Sequence, residues 1–142
     1  MSIDLERLTR SIEGHEGYRD KAYQDTEGVW TIGYGTNLQT LQIDEATGRR
    51  WLIDHIDDAI RAAKRFPEYR DLDTKARREV FVEMVYNMGP SRVAGFKNML
   101  SAIRRNDWAD AAEEMLDSKW ARQVGRRART LSELMRNGHY GE

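Results

Sequence analysis

Leu5, Leu8 and Ile12 fall at i, i+3 and i+7, one apolar stripe of an amphipathic helix with Ser2 as its candidate cap and Gly14 and Gly17 at its end. The period then shortens. Lys21 to Gln24 and Val29 to Tyr34 are short runs of strand character joined by the polar, Gly-ended turn Asp25-Thr26-Glu27-Gly28, which predicts a β-hairpin. Neighbouring side chains on a strand point to opposite faces, so Val29, Thr31 and Gly33 share one side and Trp30, Ile32 and Tyr34 the other. The bulky side is expected to pack and the small side to stay open, with Thr31 facing a space that a ligand can fill.

Thr36 to Thr40 reads as loop. From Asp44 to Arg65 the helical period returns, with Leu52, Ile56, Ala59, Ile60 and Ala63 on one face and Phe66-Pro67 as the stop. About 22 residues at the α-helical rise make a rod of roughly 33 Å. Between Thr74 and Met88 the apolar set Val80, Phe81, Val82, Met84, Val85 and Met88 covers most of the circumference, the pattern of a buried central helix ended by Gly89-Pro90. Shorter helices are predicted over Lys97 to Arg105, Trp108 to Asp117 and Arg126 to Arg136, the last closed by Asn137-Gly138. No internal repeat, low-complexity segment or linker interrupts the chain.

Composition narrows the function. At 142 residues the chain is one ordinary domain, and 39% hydrophobic with 33% charged residues is a globular balance. With no cysteine there is no disulfide framework and no thiolate metal site, so folding is expected in reducing conditions. The first ten residues carry no apolar core of a secretory signal, and no run reaches membrane-spanning length. Net charge is −1, so no global basic field advertises nucleic acid. A local run, Lys119, Arg122, Arg126, Arg127 and Arg129 with no acid between, is either a solvated helix face or a phosphate contact.

Most stock chemistries fail on inspection. His15, His55 and His139 are scattered, without the i, i+4 pairing of a helical zinc site. Gly33-Tyr34-Gly35 starts like a dinucleotide fingerprint but lacks the third glycine and sits in a hairpin rather than a βαβ unit. Carboxylates remain. Glu16 lies where a negative charge opposes the helix dipole, a poor choice for stability and a useful one for an acid that must hold a proton. With Asp25 at the mouth of the turn it makes a pair, and glycoside hydrolysis needs such a pair: one carboxyl protonated for the leaving oxygen, one ionised for the developing charge or a water.

The spacing Glu16-(eight residues)-Asp25-(five residues)-Thr31, with Thr31-Ile32-Gly33-Tyr34-Gly35, resembles the signature of the phage-type lysozymes, the muramidase family that includes the T-even phage enzyme. Met84-Val85-Tyr86-Asn87-Met88-Gly89, Val93-Ala94-Gly95-Phe96, Trp108-x-x-Ala111-Ala112 and Trp120-x-x-Gln123-x-x-x-Arg127-Ala128 resemble further family blocks in order, over nearly the whole chain. The resemblance implies an α+β, lysozyme-like domain over 1–142. Its parts are a small antiparallel sheet lobe at about 13–43, a connecting helix at about 44–65, and a helical lobe at about 67–142 that includes the N-terminal helix. A saccharide cleft is expected between the lobes.

By the same resemblance Glu16 is the general acid, Asp25 positions or activates a water, and Thr31 helps hold that water. Gln123 and Arg127 come from the helical lobe, Arg127 reaching Glu16, while Tyr86 matches an aromatic cleft position that stacks on sugar or, alternatively, a core aromatic. A guanidinium lowers a carboxyl pKa and burial raises it, so the proton on Glu16 depends on which wins. Thr36, Met99 and Glu114 depart from residues common in relatives and bear on substrate contacts. No cofactor and no metal are implied. The implied partner is peptidoglycan, cut at the β-1,4 bond between N-acetylmuramic acid and N-acetylglucosamine. A monomer is expected, free of nucleic acid, held in the host cytoplasm until a holin opens the membrane. A non-catalytic wall-binding module and a lytic transglycosylase stay open as alternatives.

Overall fold

The computed structural model describes residues 2–141 and divides into two compact units, 1–48 and 49–142, the division falling in the first turn of a long helix. The chain is α+β. Its described residues form helices α1 Leu5–Glu16, α2 Glu45–Lys64, α3 Lys75–Met88, α4 Pro90–Ala94, α5 Lys97–Arg104, α6 Trp108–Leu116, α7 Lys119–Val124 and α8 Arg126–Asn137. Strands β1 Arg19–Gln24, β2 Trp30–Gly33 and β3 Thr36–Asn37 make an antiparallel sheet in that order.

In the first unit the cap of α1 is Asp4, not Ser2: its carboxylate accepts from the Arg7 N–H at 3.1 Å, satisfying an amide that has no partner within the helix. The helix runs through Gly14 and ends only at Gly17, because one glycine inside a helix is a tolerated cost rather than a stop. The predicted hairpin is present, with a β-bulge in β1 between Arg19 and Tyr23. Thr36-Asn37, read as loop, is a third strand whose Thr36 pairs with Ile32 and whose Asn37 pairs with Thr31.

That third strand changes the faces of the sheet. Thr31 is only 5% exposed, while Trp30 is 52% exposed, the reverse of the expectation that the small side stays open. Thr31 is flanked by Tyr23 on one side and Asn37 on the other, and its short side chain is covered where a longer ring projects past its neighbours.

The second unit holds the core. Phe81, Met84, Met99, Ile103, Met115 and Met135 are fully buried, and α3 stands at the centre as its apolar circumference requires. Phe66 packs edge-on against Phe81, with ring centroids 5.1 Å apart. The stripe on α2 is buried only at its far end: Ala59 and Ala63 join the core while Leu52 and Ile56 stay accessible. Two short helices were not legible as separate elements, α4 and α7. The second is announced by Ser118, whose hydroxyl accepts from the Ala121 N–H at 3.0 Å.

Arg77, a charged residue inside the apolar run, is buried in a complete set of partners. Its Nε donates to the Met135 carbonyl at 2.7 Å, one terminal nitrogen to the Arg136 carbonyl at 2.8 Å and the other to Asp73 at 2.8 Å. The guanidinium carbon also lies 4.2 Å from the centre of the Trp108 ring. One side chain of α3 thus ties the C-terminus of α8 to α6. Gly138 makes room for it, since a Cβ there would stand 2.7 Å from the guanidinium carbon, and its φ of +83° is the left-handed cap that ends α8.

Candidate active site

Glu16 is the final residue of α1, and its side chain reaches the turn between β2 and β3. A Cβ built on Gly35 would stand 2.7 Å from Glu16 Oε2 and 3.0 Å from its carboxyl carbon, so the acid rests where Gly35 lacks a side chain. The same junction is pinned by a pair of aromatic rings, Tyr18 after α1 and Tyr34 in the turn, with centroids 5.1 Å apart. The Tyr34 hydroxyl is held above the ordinary phenol range, first by partial desolvation and then by the Glu13 carboxylate. Glu16 itself is exposed in this structure rather than buried.

Asp25 is held by its own turn. Oδ1 accepts from the Glu27 N–H at 2.8 Å and from the Val29 N–H at 2.9 Å, while the Asp25 N–H donates to the Val29 carbonyl at 2.9 Å. Aspartate suits the first position of such a turn because its short side chain reaches the amides that follow. Both bonds fall on Oδ1, which leaves Oδ2 without a protein donor among the described residues. The Thr31 hydroxyl donates to the Val29 carbonyl at 2.9 Å, and its oxygen keeps lone pairs to accept from a second donor. The turn residue Val29 therefore links the two: its N–H holds Asp25 and its carbonyl holds Thr31.

The other three candidate residues belong to the second unit. Tyr86 is 41% exposed, which removes the core-aromatic alternative, and it lines a groove of about 770 Å³ together with Leu52, Ile56, Val82 and Arg127. Arg127 donates from Nε to Glu83 at 2.8 Å, a partner on α3 that the sequence did not suggest. Gln123 is exposed on α7 and does not line that groove. Of the basic run, Lys119, Arg122, Arg126 and Arg129 are exposed, and Arg127 is the member engaged by a carboxylate among the described residues.

Of the three departures, Met99 lies wholly inside the core. Glu114 is half-buried beside a hollow of about 200 Å³ that Met99 also lines, and Thr36 is exposed at the start of β3. All three histidines are exposed, and no group of three metal-ligating side chains occurs among the described residues. Sequence reasoning missed Gly35 and the Tyr18–Tyr34 contact. The available signal was a glycine in the turn after a strand, a position that often marks a close approach by something else.

The chain is similar to known proteins along most of its length. Residues 13–137 match the family described as phage lysozyme. "Probable T4-type lysozyme 1" of Dictyostelium discoideum is 28% identical over 87% of this chain and 89% of its own length. "Probable T4-type lysozyme 2" of the same organism is 28% identical over 92% and 94% respectively. The "Pre-baseplate central spike protein Gp5" of Enterobacteria phage T4 is also 28% identical, over 93% of this chain but only 28% of its own length. With residues 13–137 matched, the chain belongs to the phage lysozyme family and is a glycoside hydrolase of the lysozyme type.

Proposed function

We propose that this chain is an endolysin-type muramidase, cutting the β-1,4 bond between N-acetylmuramic acid and N-acetylglucosamine and so causing bacterial lysis, with Glu16 as general acid and Asp25 acting through water. The observation that carries this reading is the geometry of Asp25: two backbone amides fix one oxygen and leave the other to orient a water. Glu16 sits on a different element, at the end of α1, so proton donation and water activation fall to two independently held groups. Thr31, tied to Val29, is the proposed second contact for that water. Tyr86, Gln123 and Arg127 are the proposed saccharide contacts, Tyr86 by stacking its accessible ring on a sugar face.

In the reaction the Glu16 proton goes to the glycosidic oxygen as the bond to the anomeric carbon breaks. The water held by Asp25 adds to that carbon from the opposite side, and its proton passes to Asp25. A water needs space between the two carboxyl groups, so inversion at the anomeric carbon is expected. The deciding experiment is proton NMR of the first-formed product from purified peptidoglycan, with mass spectrometry of the released ends. Reducing ends of inverted configuration are expected. Retention would make Asp25 a nucleophile, 1,6-anhydro ends would identify a lytic transglycosylase, and binding without cleavage would leave a wall-binding module.

The protein is further proposed to act as a monomer and to collect in the host cytoplasm, reaching the wall when a holin permeabilises the membrane. A chain without cysteine suits a reducing compartment. Expressed alone in a Gram-negative host, it is expected in the cytosolic fraction, with lysis following only when the membrane is opened. Recovery of active, full-length protein outside intact cells would overturn this.

A further inference from the structure

We infer that Gly35 is a positioning residue for the acid: the missing side chain at this position sets where the Glu16 carboxyl rests. The inference depends on Glu16 being the general acid, and it adds a residue that acts only through it. Three observations converge on the turn between β2 and β3. A Cβ on Gly35 would meet Glu16 Oε2 at 2.7 Å, its carboxyl carbon at 3.0 Å and its Cγ at 3.5 Å, and nothing else comes closer. The contact is therefore specific to the acid. The Tyr18–Tyr34 rings hold the adjacent residue of the turn against the end of α1, so the backbone of Gly35 is fixed relative to Glu16. No side-chain hydrogen bond to Glu16 occurs among the described residues, which leaves this surface as its local support.

The physical consequence differs from that at an ordinary tight glycine. The obstructed atoms are the far end of a flexible side chain, so a methyl group at 35 would push the carboxyl aside rather than break the fold. An acid displaced by about 1 Å loses much of its rate even where the protein stays intact. Gly35 has φ +78°, so any L-residue there carries backbone strain as well, and a control must separate the two effects. Gly33 supplies it: its φ is +66°, and a Cβ there meets nothing within 4 Å.

The test compares Gly35→Ala with Gly33→Ala in the full chain, measuring thermal stability and the kcat and KM of peptidoglycan cleavage. Both variants are expected to lose similar stability. Gly35→Ala is expected to fall at least tenfold further in kcat, with little change in KM. Glu16→Asp, whose shorter stem withdraws the carboxyl from position 35, completes a double-mutant cycle. Adding Gly35→Ala to Glu16→Asp is expected to cost much less than adding it to the wild type. Should Gly35→Ala not fold, Gly35→Asn and Gly33→Asn replace the pair, since Asn tolerates positive φ. Equal losses of kcat in the two glycine variants, or losses that multiply independently in the cycle, would overturn the inference. Failure of the acid assignment itself reads differently: Glu16→Gln would then keep its activity, whatever the glycine variants do.

Discussion

Glu16→Gln is expected to leave a folded protein whose rate of peptidoglycan clearance is down by on the order of 10³-fold or more, the loss that follows from deleting a general acid. Gln keeps the shape and the hydrogen-bonding reach of Glu but has no proton to give to the leaving oxygen. Stability should not fall with activity. Glu16 ends α1 without a side-chain hydrogen bond among the described residues, and its negative charge there opposes the helix dipole. The melting temperature of Glu16→Gln is therefore expected to equal or slightly exceed that of the wild type. Turbidity loss of a cell-wall suspension, alongside a thermal melt of both proteins, makes the comparison. Clearance at a near wild-type rate would remove Glu16 from the mechanism. A large fall in melting temperature would show that the residue is structural as well.

The largest effect on stability is expected at Arg77. Replacing it with Met keeps the length of the stem but leaves the Met135 and Arg136 carbonyls at the end of α8 without their donors and removes the cation from the face of Trp108. Each unsatisfied, partly buried carbonyl costs about 1–3 kcal/mol and the lost cation–π contact about 1 more, so a total of about 3–7 kcal/mol is expected. At this chain length that is a fall of at least about ten degrees in melting temperature. The ion pair with Asp73 is left out of the sum because that carboxylate is more than half exposed and screened by solvent. Arg77→Lys should recover part of the loss, since an ammonium can still donate but cannot span three acceptors in a plane. Urea unfolding of the three proteins measures this. An Arg77→Met variant within 1 kcal/mol of wild type would mean that water replaces the guanidinium at both carbonyls.

Gly138 belongs to the same device. Its αL conformation ends α8, and its bare Cα admits the guanidinium. The parallel with Gly35 is instructive: in both places a glycine is required by what approaches it, a cation in one unit and a carboxyl group in the other.

By itself the sequence determined the longer helices, because α1 and α2 place their apolar residues along one face and α3 carries them around most of its circumference. The hairpin was equally legible, since Asp25 to Gly28 carries its turn chemistry locally and the bonds of Asp25 reach no further than Val29. Glu16 and Asp25 stand out as candidate acids in the sequence because a pair of carboxyl groups is the residue type that glycoside hydrolysis needs and their spacing resembles the family signature. The tertiary structure decided what depends on residues far apart in the chain. β3 is two residues long and has no pattern of its own, so only its pairing with β2 makes it a strand. The cap of α1 went to Asp4 rather than Ser2 because the cap must sit where the helix geometry starts, and two polar residues two positions apart look alike in a string. Thr31 became buried because strands arrived on both sides of it. Arg77, 58 and 59 residues from the carbonyls it serves, joined the interior because folding brought it acceptors that no local window contains. Periodicity and turn chemistry act over a few residues and can be read there. The burial of a polar group is set by partners that only the folded chain supplies.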